Sequence, residues 1–284
     1  MASTFSTIRP QRRTLLRRNP FIQETSAMAR RLALQLKRRP SSLIVGLLQP
    51  LIWLVLFGAL FAKNPSTTLP ESMSYGRFLS AGLIVFTCFN GALNAGLPVM
   101  FDREFGFLNR LLAAPLKTRH SIALASILQI TSMSLLQSLA ILICSALLGY
   151  GLPTAAGLPV LLVSLVLLSS AVTALSLGLA FALPGHVELL AVTLLINLPL
   201  LFTSTALAPI SAMPGWLAWL ASLNPLSWAI EPIRSSYGMH FSWNSPALTA
   251  PFASLSNAQC IILLALFSAS CLALVQPLLN RKLA

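Results

Sequence analysis

The stretch FDREFGFLNRLLAAPLKTRH, residues 101–120, carries two of only six acidic residues in a chain of 284, Asp102 and Glu104, beside Arg103, Arg110, Lys117 and Arg119. Long apolar runs flank it on both sides. Reading this passage as a charged loop between two membrane crossings sets the fold. A soluble domain is about half apolar and about a quarter charged, whereas this chain is 56% apolar, only 9% charged, and has a mean hydropathy of +0.80. Too little polar surface remains to cover a water-soluble globule of this size.

Outward from the loop, six stretches are long and apolar enough to cross about 30 Å of hydrocarbon: residues 43–62, 78–100, 121–149, 157–183, 188–208 and 258–280. None has Lys, Arg, Asp or Glu in its central turns, where each would cost about 2.5–3.5 kcal/mol on the insertion scale. The expected fold is therefore an all-α integral membrane protein with six transmembrane helices, the six-span domain occupying residues 43–284. The net charge of +13 is uneven, with ten of the 19 basic residues in residues 1–42 against Glu24 alone. With both termini inside, the inner segments hold ten, four and two basic residues, and the outer ones hold only Lys63, Arg77 and Arg234. The positive-inside rule then places both termini and residues 101–120 in the cytoplasm. A basic arm beside an apolar span points to anionic lipid, and no nucleic-acid recognition motif accompanies it.

Residues 1–18 are expected to be a disordered basic arm. Residues 19–42 are expected to form an amphipathic helix on the inner leaflet, capped by Asn19 with Pro20 at its first position. It gathers Phe21, Ile22, Met28, Leu32 and Leu36 on one side and Glu24, Arg30, Arg31 and Lys37 on the other; it is either a lipid anchor or a docking helix. This basic lead is longer than the n-region of a signal peptide, so the first span is expected to stay in place. Residues 209–257, outside the membrane but rich in tryptophan, are expected to form one or two short re-entrant helices before the last span. There Glu231 and Arg234, three apart on one helix, are placed to pair, either as a structural contact or toward a substrate.

Catalytic chemistry finds no purchase. His120, His186 and His240 lie on different loops and read as solvated residues. Cys88, Cys144, Cys260 and Cys271 sit in apolar runs and read as small buried side chains, with no pattern suggesting disulfides or metal ligands. Gly91 and Gly96 have the separation of a phosphate loop, but Leu97 and Pro98 follow where Lys and Ser or Thr are needed. No cofactor site is expected. Proton- or sodium-driven carriers tend to place carboxylates at mid-membrane, whereas the polar groups of these spans are amides. Gln49, Asn90, Asn94 and Asn197 are candidates either for helix packing or for lining a pathway.

Two motifs carry a family resemblance. Arg103, Glu104, Gly106, Leu108, Leu111 and Pro115 fit the pattern Arg-Glu-x-Gly-Thr-Leu-Glu-x-Leu-x-x-(Thr/Ala)-Pro, with Phe107 and Asn109 departing from it. NPLSWAIEPIR, residues 224–234, fits Asn-Pro-Leu-(Thr/Ser)-Tyr-x-x-(Asp/Glu)-x-x-Arg and brings in Asn224, Pro225, Glu231 and Arg234. In these positions the chain resembles permease subunits of type-2 ATP-binding-cassette exporters, of the daunorubicin-resistance and polysaccharide-export kind. The resemblance implies a homodimer or paired half-permease in the inner (cytoplasmic) membrane, bound to separate ATPase subunits that hold ATP and Mg. Residues 101–120, with Asp102 and Arg110 among them, would be the coupling element, and the lead helix would pack on the ATPase. The cargo would be a drug, a lipid or a lipid-linked glycan. The alternative is a non-transporting anchor or scaffold for another inner-face complex.

Overall fold

The computed structural model describes Ser26, Arg30, Leu34 and residues 40–61, 74–106, 120–238 and 241–282. The protein is mostly helical, with α1 (Pro40–Leu60), α2 (Tyr75–Leu93), α3 (Gly96–Glu104), α4 (His120–Leu147), α5 (Leu158–Ala182) and α6 (His186–Phe202). Two short helices follow, α7 (Gly215–Leu223) and α8 (Pro225–Ser235). The chain then forms strands β1 (Pro246–Thr249) and β2 (Ser254–Ser256) and ends in α9 (Asn257–Lys282). The short helices α7 and α8 fall within residues 209–257, where short helices were expected. The antiparallel β1–β2 hairpin, with Leu248 opposite Leu255, has no counterpart in the sequence reading.

Helix α5 is the centre of the bundle. It packs against α2, α4 and α8, and α9 runs along it most extensively. Lipid tails are as apolar as leucine, so such helices are held by close packing and interhelical hydrogen bonds more than by the hydrophobic effect. Small residues permit both. Gly178 of α5 lets Val275 of α9 approach, since a Cβ there would stand 3.0 Å from Val275 Cγ2. Hydroxyls join α5 to its neighbours, Ser170 to Ser268 at 2.8 Å and Thr131 to Ser169 at 2.7 Å.

Among the described residues, four stretches are long and apolar enough to cross a membrane, Tyr75–Glu104, Ser126–Leu147, Ala155–Ala182 and Asn257–Leu278, while Gly46–Leu60 and His186–Phe202 are shorter apolar helices. The 17 residues of α6 reach only about 25 Å, although the apolar run continues to residue 208. The helix ends early because Thr203 Oγ1 and Ser204 Oγ donate back to the carbonyls of Pro199 (2.7 Å) and Leu201 (2.6 Å), offering the backbone an alternative to the helical ladder. The chain then continues as irregular backbone, with Ser204, Thr205 and Ala206 buried.

Irregular backbone at membrane depth is tolerated only where other groups satisfy it. Here the partners come from α2 and from α8 with its cap. Ser227 Oγ accepts from the Thr205 N–H (3.1 Å), Tyr75 Oη donates to the Leu207 carbonyl (3.1 Å), and Arg234 Nη2 donates to the Thr205 carbonyl (2.7 Å). Asn224 caps α8 through the Leu226 N–H and also donates to the carbonyls of Leu200 (2.8 Å) and Thr203 (3.0 Å). The Arg234 guanidinium, buried, lies 3.6 Å from the centroid of the Phe78 ring and pairs with Glu231 through Nη1. The expected pairing of Glu231 with Arg234 is thus present, as an internal structural contact in this chain.

Removing one partner of a buried ion pair leaves an uncompensated charge, which typically costs about 3–5 kcal/mol. Arg234→Met should therefore lower the thermal unfolding midpoint of the detergent-purified protein sharply. Glu231→Gln combined with Arg234→Met should recover much of the loss. A single Arg234→Met variant melting with the wild-type protein would show that the seal has no energetic role.

Candidate functional site

At the end of the bundle opposite Arg234, α3 stops one residue beyond Arg103 and meets the turn joining α5 to α6. Arg103 donates to the carbonyls of Ala180 (2.8 Å), Leu183 (2.6 Å) and Pro184 (2.6 Å), which are left without intrahelical partners where α5 ends. Glu104, the next residue, accepts from the first N–H of α6, that of His186, at 2.7 Å. Its other oxygen lies 2.6 Å from His186 Nδ1. Two adjacent side chains of opposite sign therefore serve two opposite helix ends, the cation at a C-terminus and the anion at an N-terminus, as the helix macrodipoles favour. Gly185 makes room for the carboxylate, since a Cβ there would sit 3.1 Å from Glu104 Oε1 and 2.8 Å from Glu188 Oε2. Phe101 adds a ring contact to His186 at 5.3 Å.

This geometry corrects one expectation. His186 is not simply a solvated loop residue; its side chain, 41% exposed, is engaged by Glu104 and Phe101. Arg103 and Glu104 both hold contacts within the chain, to a turn about 80 residues away in sequence. Gly106 follows in a left-handed conformation (φ 71°), which glycine adopts without the cost a side chain would add.

Halfway along the bundle, the expected second span is broken. Helix α2 ends at Leu93 and α3 begins at Gly96, with Asn94 and Ala95 forming the turn between them. Ser176 of α5 bridges the gap: its Oγ donates to the Leu93 carbonyl (2.6 Å) and accepts the Gly96 N–H (2.9 Å). Glycine is required at 96, where a Cβ would meet the Ser176 carbonyl oxygen at 2.4 Å. Beside this break stand three amides. Asn94 Nδ2 donates to Asn90 Oδ1 (3.2 Å) and to the Asn90 carbonyl (2.8 Å), and Asn197 Nδ2 of α6 donates to Asn90 Oδ1 (3.2 Å). Two buried oxygens on the same face of α6, Asn197 Oδ1 and Thr193 Oγ1, have no hydrogen-bond partner among the described residues. Unsatisfied buried polar atoms are costly, and with the three amides these two oxygens make a polar niche inside the bundle.

The structure thus gathers Asn90, Asn94 and Asn197 at one place, but not Gln49, which is exposed on α1. Asn224, Pro225, Glu231 and Arg234 form the seal at the other end. Asp102 is half-buried, and Arg30 is helical and exposed. Leu108, Arg110, Leu111 and Pro115 lie outside the described residues, as do Glu24, Arg31 and Lys37. Sequence reasoning missed Ser176, Thr193 and the partnership of His186. A serine within an apolar helix carries no local sign of what it faces, whereas His186 beside Gly185 and Pro184 did mark a helix start.

The chain matches the ABC-2 type transporter family over residues 23–238. It is 47% identical over 263 residues to a protein described as putative transport permease ycf38 of Pyropia yezoensis, covering 92% of this chain and 90% of the relative. With the protein of the same description from Porphyra purpurea it shares 53% identity over 223 residues, 78% of this chain and 76% of the relative. A more distant likeness, 27% over 192 residues, joins it to ABC transporter G family member 20 of Dictyostelium discoideum, covering 63% of this chain and 26% of that much longer protein. A helical bundle with membrane-length apolar helices accords with these matches. The chain belongs to the ABC-2 type transporter family of membrane permeases.

Proposed function

We propose that this protein is the membrane-spanning subunit of an ATP-driven exporter. In this reading it moves a hydrophobic or amphipathic molecule with energy from ATP hydrolysed, with Mg, by separate ATPase subunits. The permease works as a pair of copies, most simply a homodimer. All six apolar helices cross the membrane; α1 and α6 are lengthened by the chain around them, and α2 and α3 together make one crossing. The Arg103 end and both termini face the cytoplasm, as the distribution of basic residues favours. Residues 101–120 and the lead helix are the surfaces that meet the ATPase.

The observation that carries this reading is the clasp of Arg103 and Glu104 on the α5–α6 turn. A coupling loop needs a rigid connection to the element that lines the path. Residues 107–119 continue directly from that clasp, and the clasp grips the first turn of α6, which carries Thr193 and Asn197. A push on the loop would reach α6 without passing through lipid. The amide niche at the α2–α3 break is the point along that path where a polar group of the cargo can be satisfied inside the bilayer.

Two measurements test the proposal. The complex purified from native membranes in mild detergent should contain an ATP-hydrolysing subunit; a partner with no nucleotide-binding activity would favour the anchor or scaffold reading. Glu104→Ala should leave that subunit bound. It should nevertheless lower export from proteoliposomes at least roughly tenfold. Unchanged export with an intact complex would remove the clasp from the mechanism.

A further inference from the structure

The joint between α2 and α3 is weak in itself. Pro98 has no N–H to give the Asn94 carbonyl, and its ring crowds that carbonyl, so the helical ladder cannot run through. Tighter bonds cross the gap instead, from the Ala95 N–H to the Ala92 carbonyl and from the Leu97 N–H to the Asn94 carbonyl, both 3.2 Å. Such a proline break is where a long helix bends. On either side the chain is fixed. The far end of α2 is moored by Tyr75 to the Leu207 carbonyl, by Arg77 to the Tyr150 carbonyl and by Ser80 to Tyr237 Oη (3.2 Å). The far end of α3 is held by the clasp of Arg103 and Glu104. Any displacement of the charged loop against the moored end of α2 therefore falls on residues 93–96.

Ser176, fully buried on α5, is built into that gap. A hydroxyl both donates and accepts, and this one ties the last carbonyl of α2, that of Leu93, to the first N–H of α3, that of Gly96. Gly96 and Arg103 are seven residues apart on α3, and their partners Ser176 and Leu183 are seven apart on α5. The two attachments thus stand about 10 Å apart along both helices. Two fastenings at equal spacing fix the tilt of α3 as well as its position; with the clasp alone, α3 would be free to pivot. We infer that Ser176 is a positioning residue of the coupling path. Its hydroxyl holds the joint at one angle, so that a displacement entering at residues 107–119 is carried up to Asn90 and Asn94 and is not absorbed as bending at residues 93–96. This deepens the proposed transport function and rests on it.

Two sites accept a spin label. Gly91, within one turn of the joint, has open space where a Cβ would stand, and Phe105, just past the clasp, is 80% exposed. Cys88, Cys260 and Cys271 are buried, so only Cys144 must first be replaced by alanine. The permease with its ATPase subunit, in lipid nanodiscs, would carry a nitroxide at Gly91→Cys or at Phe105→Cys, with spectra recorded without nucleotide and with ATP and vanadate. Without nucleotide, Ser176→Ala should raise the mobility of the label at 91. Ser170→Ala, which gives up the hydrogen bond to Ser268 elsewhere on α5, should leave it unchanged. In the wild-type complex, ATP and vanadate should alter the spectra at both positions. In Ser176→Ala the response at 105 should persist while that at 91 shrinks roughly fivefold, the weight of about one hydrogen bond. Unchanged mobility at 91 in Ser176→Ala, or a response there that survives the substitution, would overturn the inference and leave the transport reading standing. A wild-type complex silent at both positions would remove the relay together with the ATP-driven reading. Equal loss at 91 in Ser170→Ala would reduce Ser176 to ordinary packing.

Discussion

Hydrocarbon offers no partner for a peptide group, and this constraint organises the molecule. Wherever a helix stops or breaks among the apolar layers, a side chain from a distant element occupies the vacated hydrogen-bonding positions. Ser176 does so at the α2–α3 break, Arg103 and Glu104 at the α5–α6 turn, and Asn224, Ser227 and Arg234 around the end of α6. Three interruptions would each be untenable alone. With these partners they become fixed joints, and the helices between them can be short.

The joints also explain where charge is allowed. Arg234 is buried near one end of the bundle, in a place where a lone cation would be expelled, because Glu231, the Thr205 carbonyl and the Phe78 ring replace its water. Arg77 plays a smaller part nearby, donating to the Tyr150 carbonyl (3.0 Å) at the turn between α4 and α5. That turn passes through Gly149 and Gly151, both left-handed. Arg77, Arg103 and Arg234 thus donate to backbone carbonyls, while Glu104 takes an N–H and Glu231 a cation.

Much of the fold was legible because apolar run length is a local property. All six apolar stretches correspond to helices, four of them long enough to span, and the Glu231–Arg234 pair follows from a spacing of three on one helix. What could not be read was where a helix ends inside an apolar run. Nothing in the composition of residues 188–208 shows that α6 stops at Phe202, because Thr203 and Ser204 act through hydroxyl geometry and the following backbone is stabilised by groups far away in sequence. The same holds for the break at Asn94, which needs Ser176 opposite it. The charged stretch 101–120 was recognised as exceptional from its composition, but the targets of Arg103 and Glu104 lie across about 80 positions that no periodicity connects. The amides were candidates one by one; only the packing of α6 against α2 separates Asn197, which joins Asn90, from Gln49, which does not.

The clasp has a further consequence for the length of α3. From Gly96, pinned at Ser176, to Arg103 the helix makes two turns, and the cation and the anion follow in that order. Adding or removing one residue between these anchors would rotate the pair by about 100° and offer the carboxylate to carbonyls and the guanidinium to an amide. The segment is therefore a ruler, with its two marks set by serine and by a pair of helix dipoles. An insertion or deletion here would exchange attraction for repulsion at the clasp.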